Sequence, residues 1–142
     1  MKTIYLIRHA KAAKKKEKSS DFKRTLVKQG QEEAKLMARK LKRERIIPEL
    51  IISSPASRSL ETAHIYAKKL GYPVKKIMLN ETLYEDMSEE ALLFIVRNQD
   101  DKYGSLMMFG HDPSFSNFTN YLLKDFKPVS YTHLTLPTNR EV

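Results

Sequence analysis

Two histidines and two arginines have residue types and positions suited to phosphate chemistry. His9 and His111 each follow a short apolar run, Arg8 directly precedes His9, and Arg58 follows the apolar run at residues 50–53. A neutral imidazole is a competent nucleophile near neutral pH. Arginine carries a permanent charge and a planar fork of donors that binds phosphate oxygens in pairs. A pocket formed by these four side chains would suit a dianionic phosphoryl group.

Taken singly, each of these residues has a commoner role. A lone histidine or arginine at the end of a strand is more often a polar surface residue than part of an active site. The prediction therefore depends on all four residues meeting in one place. His64, on a predicted helix, and His133, near the end of the chain, have no comparable neighbours. We expect both to be structural residues.

Short apolar runs alternate with amphipathic segments along the chain, and this order predicts how the four residues are positioned. The predicted strands are residues 2–7, 50–53, 106–109 and, more weakly, 74–79. The predicted helices cover about residues 26–45 and 56–70, and two more begin near the capping residues Ser88 and Ser114. Such alternation predicts an α/β fold with a mostly parallel sheet. Functional groups in such sheets collect beyond the carboxyl ends of the strands, where Arg8, His9, Arg58 and His111 would lie.

The predicted helices each show an apolar stripe that would face the sheet. Gly71 stands where a helix C-cap is expected, after the second of them. The stripes consist of Ala34, Met37, Ala38 and Leu41 in the first helix, Leu60, Ala63, Ala67 and Leu70 in the second, Ala91, Leu92 and Ile95 in the third, and Phe115, Phe118, Thr119 and Leu122 in the last.

The composition fits one soluble domain. A chain of 142 residues can bury one sizeable core, and 41% hydrophobic with 30% charged residues is typical of globular proteins. The absence of cysteine excludes disulfides, thiolate catalysis and cysteine-ligated zinc. No apolar run is long enough to span a bilayer, and residues 4–7 are too short for the apolar core of a secretory signal. We expect a cytoplasmic protein that does not enter membranes.

The net charge of +9 favours anionic partners without identifying them. Between Lys11 and Arg24 there are seven basic and two acidic residues. A lysine-rich run of this kind is usually a solvated loop. Because it follows directly after His9, it would also attract an acidic or phosphorylated substrate.

Three segments resemble motifs of the histidine phosphatase superfamily. Residues 6–10, LIRHA, resemble its R-H-G motif with Ala10 in place of glycine, and residues 53–63, SSPASRSLETA, resemble its S-S-P-x-x-R-x-x-x-T-A segment. Residues 109–113, FGHDP, resemble its G-H-x-P segment. The small size and residues 24–30, which resemble R-x-L-x-x-x-G, are similar to the SixA-type phosphohistidine phosphatase branch. The resemblance extends to about residue 123.

This resemblance implies both a fold and a set of roles. The fold would be the phosphoglycerate mutase-like three-layer sandwich, in which helices flank the central sheet. His9 would be phosphorylated on nitrogen, with Arg8, Arg58 and His111 binding the transferring group, and no cofactor or metal would be needed. The residue that protonates the leaving group has two alternatives. Glu81, in an L-N-E segment like that of the mutase-like members, is our first choice, and Asp112 is the second.

The function predicted in this way is a phosphatase that acts on phosphohistidine in a partner protein or on a small phosphate ester. A mutase-like activity is less favoured, because relatives of that kind are longer. A basic nucleic-acid-binding module is the alternative from another class, but the chain lacks the aromatic and glycine patterns of single-strand binders. A relative that binds phosphate without catalysis is the third alternative. The sequence does not indicate the oligomeric state.

The resemblance ends near residue 127, and we therefore assign residues 1–127 to the phosphatase domain. Residues 128–142 form an atypical tail, for which we expect a truncation or a sequencing artefact as the origin. Residues 131–136 alternate as a strand would, without a motif. If the tail adds no strand, one edge of the sheet would lack its partner.

Overall fold

Four helices and five strands alternate along the described part of the chain. The computed structural model describes residues 2–14, 21–84, 88–111, 114–122 and 138–140. The strands are β1 (Lys2–Arg8), β2 (Leu50–Ser53), β3 (Met78–Leu79), β4 (Ser105–Gly110) and β5 (Thr138–Arg140). The helices are α1 (Lys28–Arg43), α2 (Ser57–Leu70), α3 (Glu89–Arg97) and α4 (Ser114–Leu122).

The strands form one sheet in the order β3-β2-β4-β1-β5. The first four strands in this order are parallel, and β5 is antiparallel to β1. Strands β2 and β4 are buried along almost their whole length, as their continuous apolar sequences predict for strands covered on both faces. The predicted α/β fold with a mostly parallel sheet is confirmed.

Two apolar cores lie on opposite faces of this sheet and make the molecule three-layered. Alternate side chains of the same strand enter different cores because the side-chain period of a strand is two residues. In β4, for example, Leu106 and Met108 join one core, and Met107 and Phe109 join the other. The first core is completed by α3 and α4, and the second by α1 and α2.

The predicted helix ends and faces agree with the structure in most places. The Ser88 hydroxyl accepts a hydrogen bond from the backbone N–H of Ala91, as expected of an N-cap. Gly71 ends α2 in the left-handed conformation with φ of 76°. Ser114, predicted to be a cap, is itself the first residue of α4. In α2 the predicted Leu60 is only half-buried, and the buried aromatic residue is Tyr66.

The weak strand prediction at residues 74–79 is largely wrong. Residues Val74–Lys76 form a 3₁₀ turn after Pro73, and only β3 pairs with the sheet. Met78 and Leu79 are 44% and 53% exposed, so no layer covers this edge and little packing energy favours a longer strand.

The tail contributes a strand, although not at the predicted residues. Residues Thr138–Arg140 pair with the start of β1, so that β1 is an internal strand and not an edge. The edge of the sheet at β1 is therefore paired among the described residues. Residues 131–136 lie outside the described part of the chain.

Candidate active site

A cleft of about 510 Å³ opens at the carboxyl ends of β1, β2 and β4. All four residues singled out from the sequence line it. The lining consists of Arg8, His9, Ala10, Lys11, Ala12, Arg24, Arg58 and His111. The fold therefore brings together side chains that lie up to about a hundred positions apart in the chain.

Backbone hydrogen bonds continue past the strands and hold the loops of the cleft in register. The N–H of His9 donates to the carbonyl of Gly110, the residue directly before His111, at 2.9 Å. The N–H of Ser54 donates to the carbonyl of Phe109 at 2.9 Å. A Cβ atom on Gly110 would lie 2.7 Å from the ring of the fully buried Phe115, which explains why glycine precedes His111.

The hydroxyl of Thr62 ties the loop after β1 to helix α2. It accepts a hydrogen bond from the backbone N–H of Ala10 at 3.1 Å and donates one to the carbonyl of Arg58 at 2.7 Å. Arg58 is the second residue of α2. The loop after β1 and the first turn of α2 are thus connected by one buried side chain.

His9 has the protonation expected of a nucleophile. Its Nδ1 lies 2.8 Å from the carbonyl oxygen of Ala10, and because a carbonyl only accepts, Nδ1 carries the proton. Nε2 is then the atom with the available lone pair. Burial, and next the charges of Arg58 and Arg8, lower the pKa of His9 to about 4, against the opposing effect of the Ala10 carbonyl. His9 is therefore neutral at pH 7.

Arg58 is the only buried charged side chain among the described residues, with 7% of its surface exposed. Its Nη1 donates to the backbone carbonyl of Asp21 at 2.9 Å, and its Nη2 lies 3.2 Å from Oδ2 of the same residue. The guanidinium also lies over the ring of Tyr84, 5.9 Å from the centroid. These contacts fix a cation at the wall of the cleft.

Arg24 lines the cleft too, and the sequence reasoning did not assign it a role. Its Nη2 lies 2.9 Å from Oδ1 of Asp21, and its Nη1 donates to the carbonyl of Ala13 at 3.1 Å. The available signal was the R-x-L-x-x-x-G pattern that begins at Arg24. Its glycine, Gly30, packs against Lys11, where any Cβ would collide with the Lys11 carbonyl oxygen.

The sequence comparison agrees with this geometry. A sequence model of the histidine phosphatase superfamily (branch 1) matches residues 4–113, more than half of the chain. The chain belongs to this superfamily. The match includes all four of the residues first singled out, and it confirms the resemblance that the motifs indicated. No curated protein sequence gives a match.

Solved structures of histidine phosphatases share the fold. A protein assigned as the phosphohistidine phosphatase SixA of Agrobacterium tumefaciens is 29% identical, with a TM-score of 0.79 over 86% of this chain and 77% of that one. The protein histidine phosphatase SixA in complex with tungstate is 22% identical, with a TM-score of 0.81 over 92% and 83% of the two chains. A mycobacterial glucosyl-3-phosphoglycerate phosphatase is 14% identical, with a TM-score of 0.64 over 87% and 80%.

Other residues singled out from the sequence lie elsewhere in this histidine phosphatase fold. Glu81 is exposed, in the 3₁₀ turn Glu81–Leu83, and is not among the residues that line the cleft. His64 lies half-buried on α2 and does not line the cleft either. Asp112, His133 and the middle of the lysine-rich run, residues 15–20, lie outside the described residues.

The described residues offer neither a metal-binding cluster nor a membrane-spanning helix. They contain no group of three or more His, Cys, Asp or Glu side chains that could hold a metal ion. None of the described helices is both long enough and apolar enough to cross a membrane.

Proposed function

We propose that this histidine phosphatase hydrolyses phosphohistidine in a partner protein through a phosphorylated His9. The observation that carries the proposal is the state of His9 in the cleft. Its Nδ1 is held by the Ala10 carbonyl, its Nε2 keeps a lone pair, and cationic groups line the same cleft. This combination suits attack on phosphorus better than simple binding of an anion.

In the first step, the Nε2 lone pair of His9 attacks phosphorus while the bond from phosphorus to the substrate nitrogen breaks. The leaving imidazole takes up a proton. Arg8, Arg58 and His111 bind the equatorial oxygens, where such groups contribute most to phosphoryl transfer. In the second step, water attacks the phosphorus, the bond to Nε2 breaks, inorganic phosphate leaves, and His9 returns to its neutral form.

The proton donor for the leaving group remains a choice between Glu81 and Asp112. Glu81 is our first choice from its L-N-E segment, although it does not line the cleft of this structure. An imidazole is expelled more easily than an alkoxide, so a phosphohistidine substrate depends less on a dedicated acid. This difference supports phosphohistidine as the substrate over phosphate monoesters.

A protein substrate in the cytoplasm is the partner that we propose, and two observations favour it. The cleft of about 510 Å³ lies at the surface, where a loop that bears a modified histidine could approach it. The relative from Agrobacterium tumefaciens is assigned as a phosphohistidine phosphatase. The second candidate is a small phosphate ester, since a phosphatase for glucosyl-3-phosphoglycerate has the same fold.

The proposal is tested by following phosphate on the enzyme and on the substrate. Purified protein is mixed with a histidine-phosphorylated protein carrying labelled phosphate, and we expect transient, acid-labile and base-stable label on the wild type, followed by release of phosphate. His9→Ala should show neither. His64→Ala, which changes a histidine outside the cleft, is the matched control and should behave as the wild type. Faster hydrolysis of p-nitrophenyl phosphate than of phosphohistidine would favour the second candidate, and activity in His9→Ala would refute the mechanism.

A further inference from the structure

The side chain of Asp21 joins the two guanidiniums of the cleft wall. Its Oδ1 accepts from Arg24 at 2.9 Å and its Oδ2 from Arg58 at 3.2 Å. Its backbone carbonyl accepts a further bond from Arg58 at 2.9 Å, and the hydroxyl of Tyr84 donates to Oδ2 at 3.0 Å. Asp21 is not among the residues that line the cleft, so its influence on a ligand passes through the two arginines.

Each of the two arginines has a buried Nε donor that Asp21 does not use. The Nε atoms of Arg24 and Arg58 are buried and have no hydrogen-bond partner among the residues that the structure describes. Buried N–H groups nearly always have an acceptor, and an unsatisfied one is costly. Both side chains line the cleft, and Asp21 takes up only some of the N–H donors of each guanidinium, so an anion bound there can engage the others.

The negative charge of Asp21 would by itself oppose the binding of an anion in the cleft. Burial raises the pKa of Asp21, but the Tyr84 hydrogen bond and the charges of Arg58 and Arg24 together bring it below the ordinary value. Asp21 is therefore ionised at neutral pH. A negative charge beside an anion site weakens the attraction of the anion. If Asp21 serves the site, its benefit must come from the geometry that it imposes.

We propose that Asp21 is a positioning residue that orients the guanidiniums of Arg58 and Arg24 so that the N–H donors it leaves unused bind the phosphoryl group. The carboxylate lies between two cations that would otherwise repel each other, and it takes up their terminal nitrogens. Lysine could not replace either arginine. Its N–H donors all rotate about one nitrogen, whereas the planar guanidinium holds separate donors in fixed directions. The proposal rests on the proposed function only for the identity of the anion.

The test measures binding of inorganic phosphate and of tungstate by calorimetry, without turnover. Positioning predicts that Asp21→Asn weakens the binding of both by about tenfold, the loss expected when a charge-assisted contact is disordered. Glu32→Gln removes an exposed carboxylate on α1 and is the control for charge, with affinity expected to change less than about twofold. Tighter binding by Asp21→Asn would show that Asp21 acts only through its charge, and unchanged binding that it has no influence on the anion; either result would overturn the proposal.

A second variant and a kinetic measurement guard against loss of folding. Tyr84→Phe removes one hydrogen bond to Asp21 while keeping the ring next to Arg58, and it should weaken phosphate binding in the same direction but less. In phosphohistidine hydrolysis, Asp21→Asn should raise KM and lower kcat, whereas a partly unfolded population would lower kcat alone. A wild type that binds phosphate without hydrolysing phosphohistidine would refute the proposed function and leave this test intact.

Discussion

Two groups of cationic side chains in this molecule differ in how they are held. In the cleft, Arg58 is 7% exposed, and Arg24 forms an ion pair with Asp21, the carboxylate that also binds Arg58. On the outer face of α1, the exposed Arg39, Lys42 and Arg43 surround Leu36, which is itself 61% exposed. None of these three basic residues forms an ion pair with a described residue. The first group is fixed by hydrogen bonds and the second is solvated.

The comparison shows that a net charge of +9 says little about where an anion binds. Solvated cations attract anions only weakly and are screened by salt. Cations held in place and partly removed from water stabilise a developing negative charge without further reorganisation. The basic residues of α1 also have a structural role, since basic residues near the C-terminus of a helix interact favourably with the helix dipole.

The largest expected difference between the two groups is catalytic. Arg58→Ala should lower kcat for phosphohistidine hydrolysis by about a hundredfold to a thousandfold, because it removes a fixed donor to the transferring group. Lys42→Ala removes the same amount of charge from α1 and should change kcat by less than about twofold. Both are measured by phosphate release at saturating substrate. Similar losses in the two variants would mean that the distinction between fixed and solvated cations is wrong.

An effect of intermediate size is expected when two glycines are replaced: both replacements should lower the free energy of unfolding, but only one should weaken phosphate binding. Gly30→Ala places a methyl group against the Lys11 backbone of the cleft, and we expect a loss of about 1–3 kcal/mol in the free energy of unfolding, together with weaker phosphate binding. Gly71→Ala should cost about 1–2 kcal/mol through its left-handed backbone at φ of 76°. Phosphate binding should not change in that variant, since Gly71 lies at the far end of α2. Chemical denaturation and calorimetry measure the two effects.

The smallest expected effect concerns the pKa of His9. Nuclear magnetic resonance should give a titration midpoint for its ring near 4, and Arg58→Ala should raise the midpoint by removing a nearby positive charge. Lys42→Ala should leave it in place. In the free enzyme, phosphorylation of His9 should fall as the pH drops through about 4, because the imidazolium has no lone pair to donate.

The same shift links His9 to stability, with a definite sign. The unfolded chain binds the proton near pH 6.5 and the folded chain only near pH 4, so the unfolded state holds more protons between these values. The free energy of unfolding should therefore decrease as the pH falls from about 6.5 to 4, and this part of the decrease should be missing in His9→Ala. A midpoint near 6.5 for His9 would contradict both expectations.

The sequence predicted β1, β2, β4, the helices and the meeting of the four residues, because these depend on regular patterns. Continuous apolar runs mark β2 and β4, and the ends of parallel strands share one edge of the sheet. The weak strand at residues 74–79 was over-predicted, because an apolar pattern does not tell whether a layer will cover it. The roles assigned to His9, Arg8, Arg58, His111 and Glu81 stay predictions until the variants are measured.

Asp21 and Arg24 could not be found in the same way. They lie in a lysine-rich run whose composition is typical of a solvated loop. Their contacts depend on the 3₁₀ turn Asp21–Lys23 packing against α2 and on Tyr84 reaching Asp21 from 63 positions away in the chain. No periodic pattern encodes a contact of that kind.

The Thr62 hydroxyl has a consequence for how this scaffold could change. Because it bridges the peptide N–H of Ala10 and the carbonyl of Arg58, it sets the distance between His9 and Arg58 through main-chain atoms. Side chains around the rim can then be exchanged without disturbing that distance. The same scaffold could therefore accept different phosphorylated substrates while the distance between His9 and Arg58 stays the same.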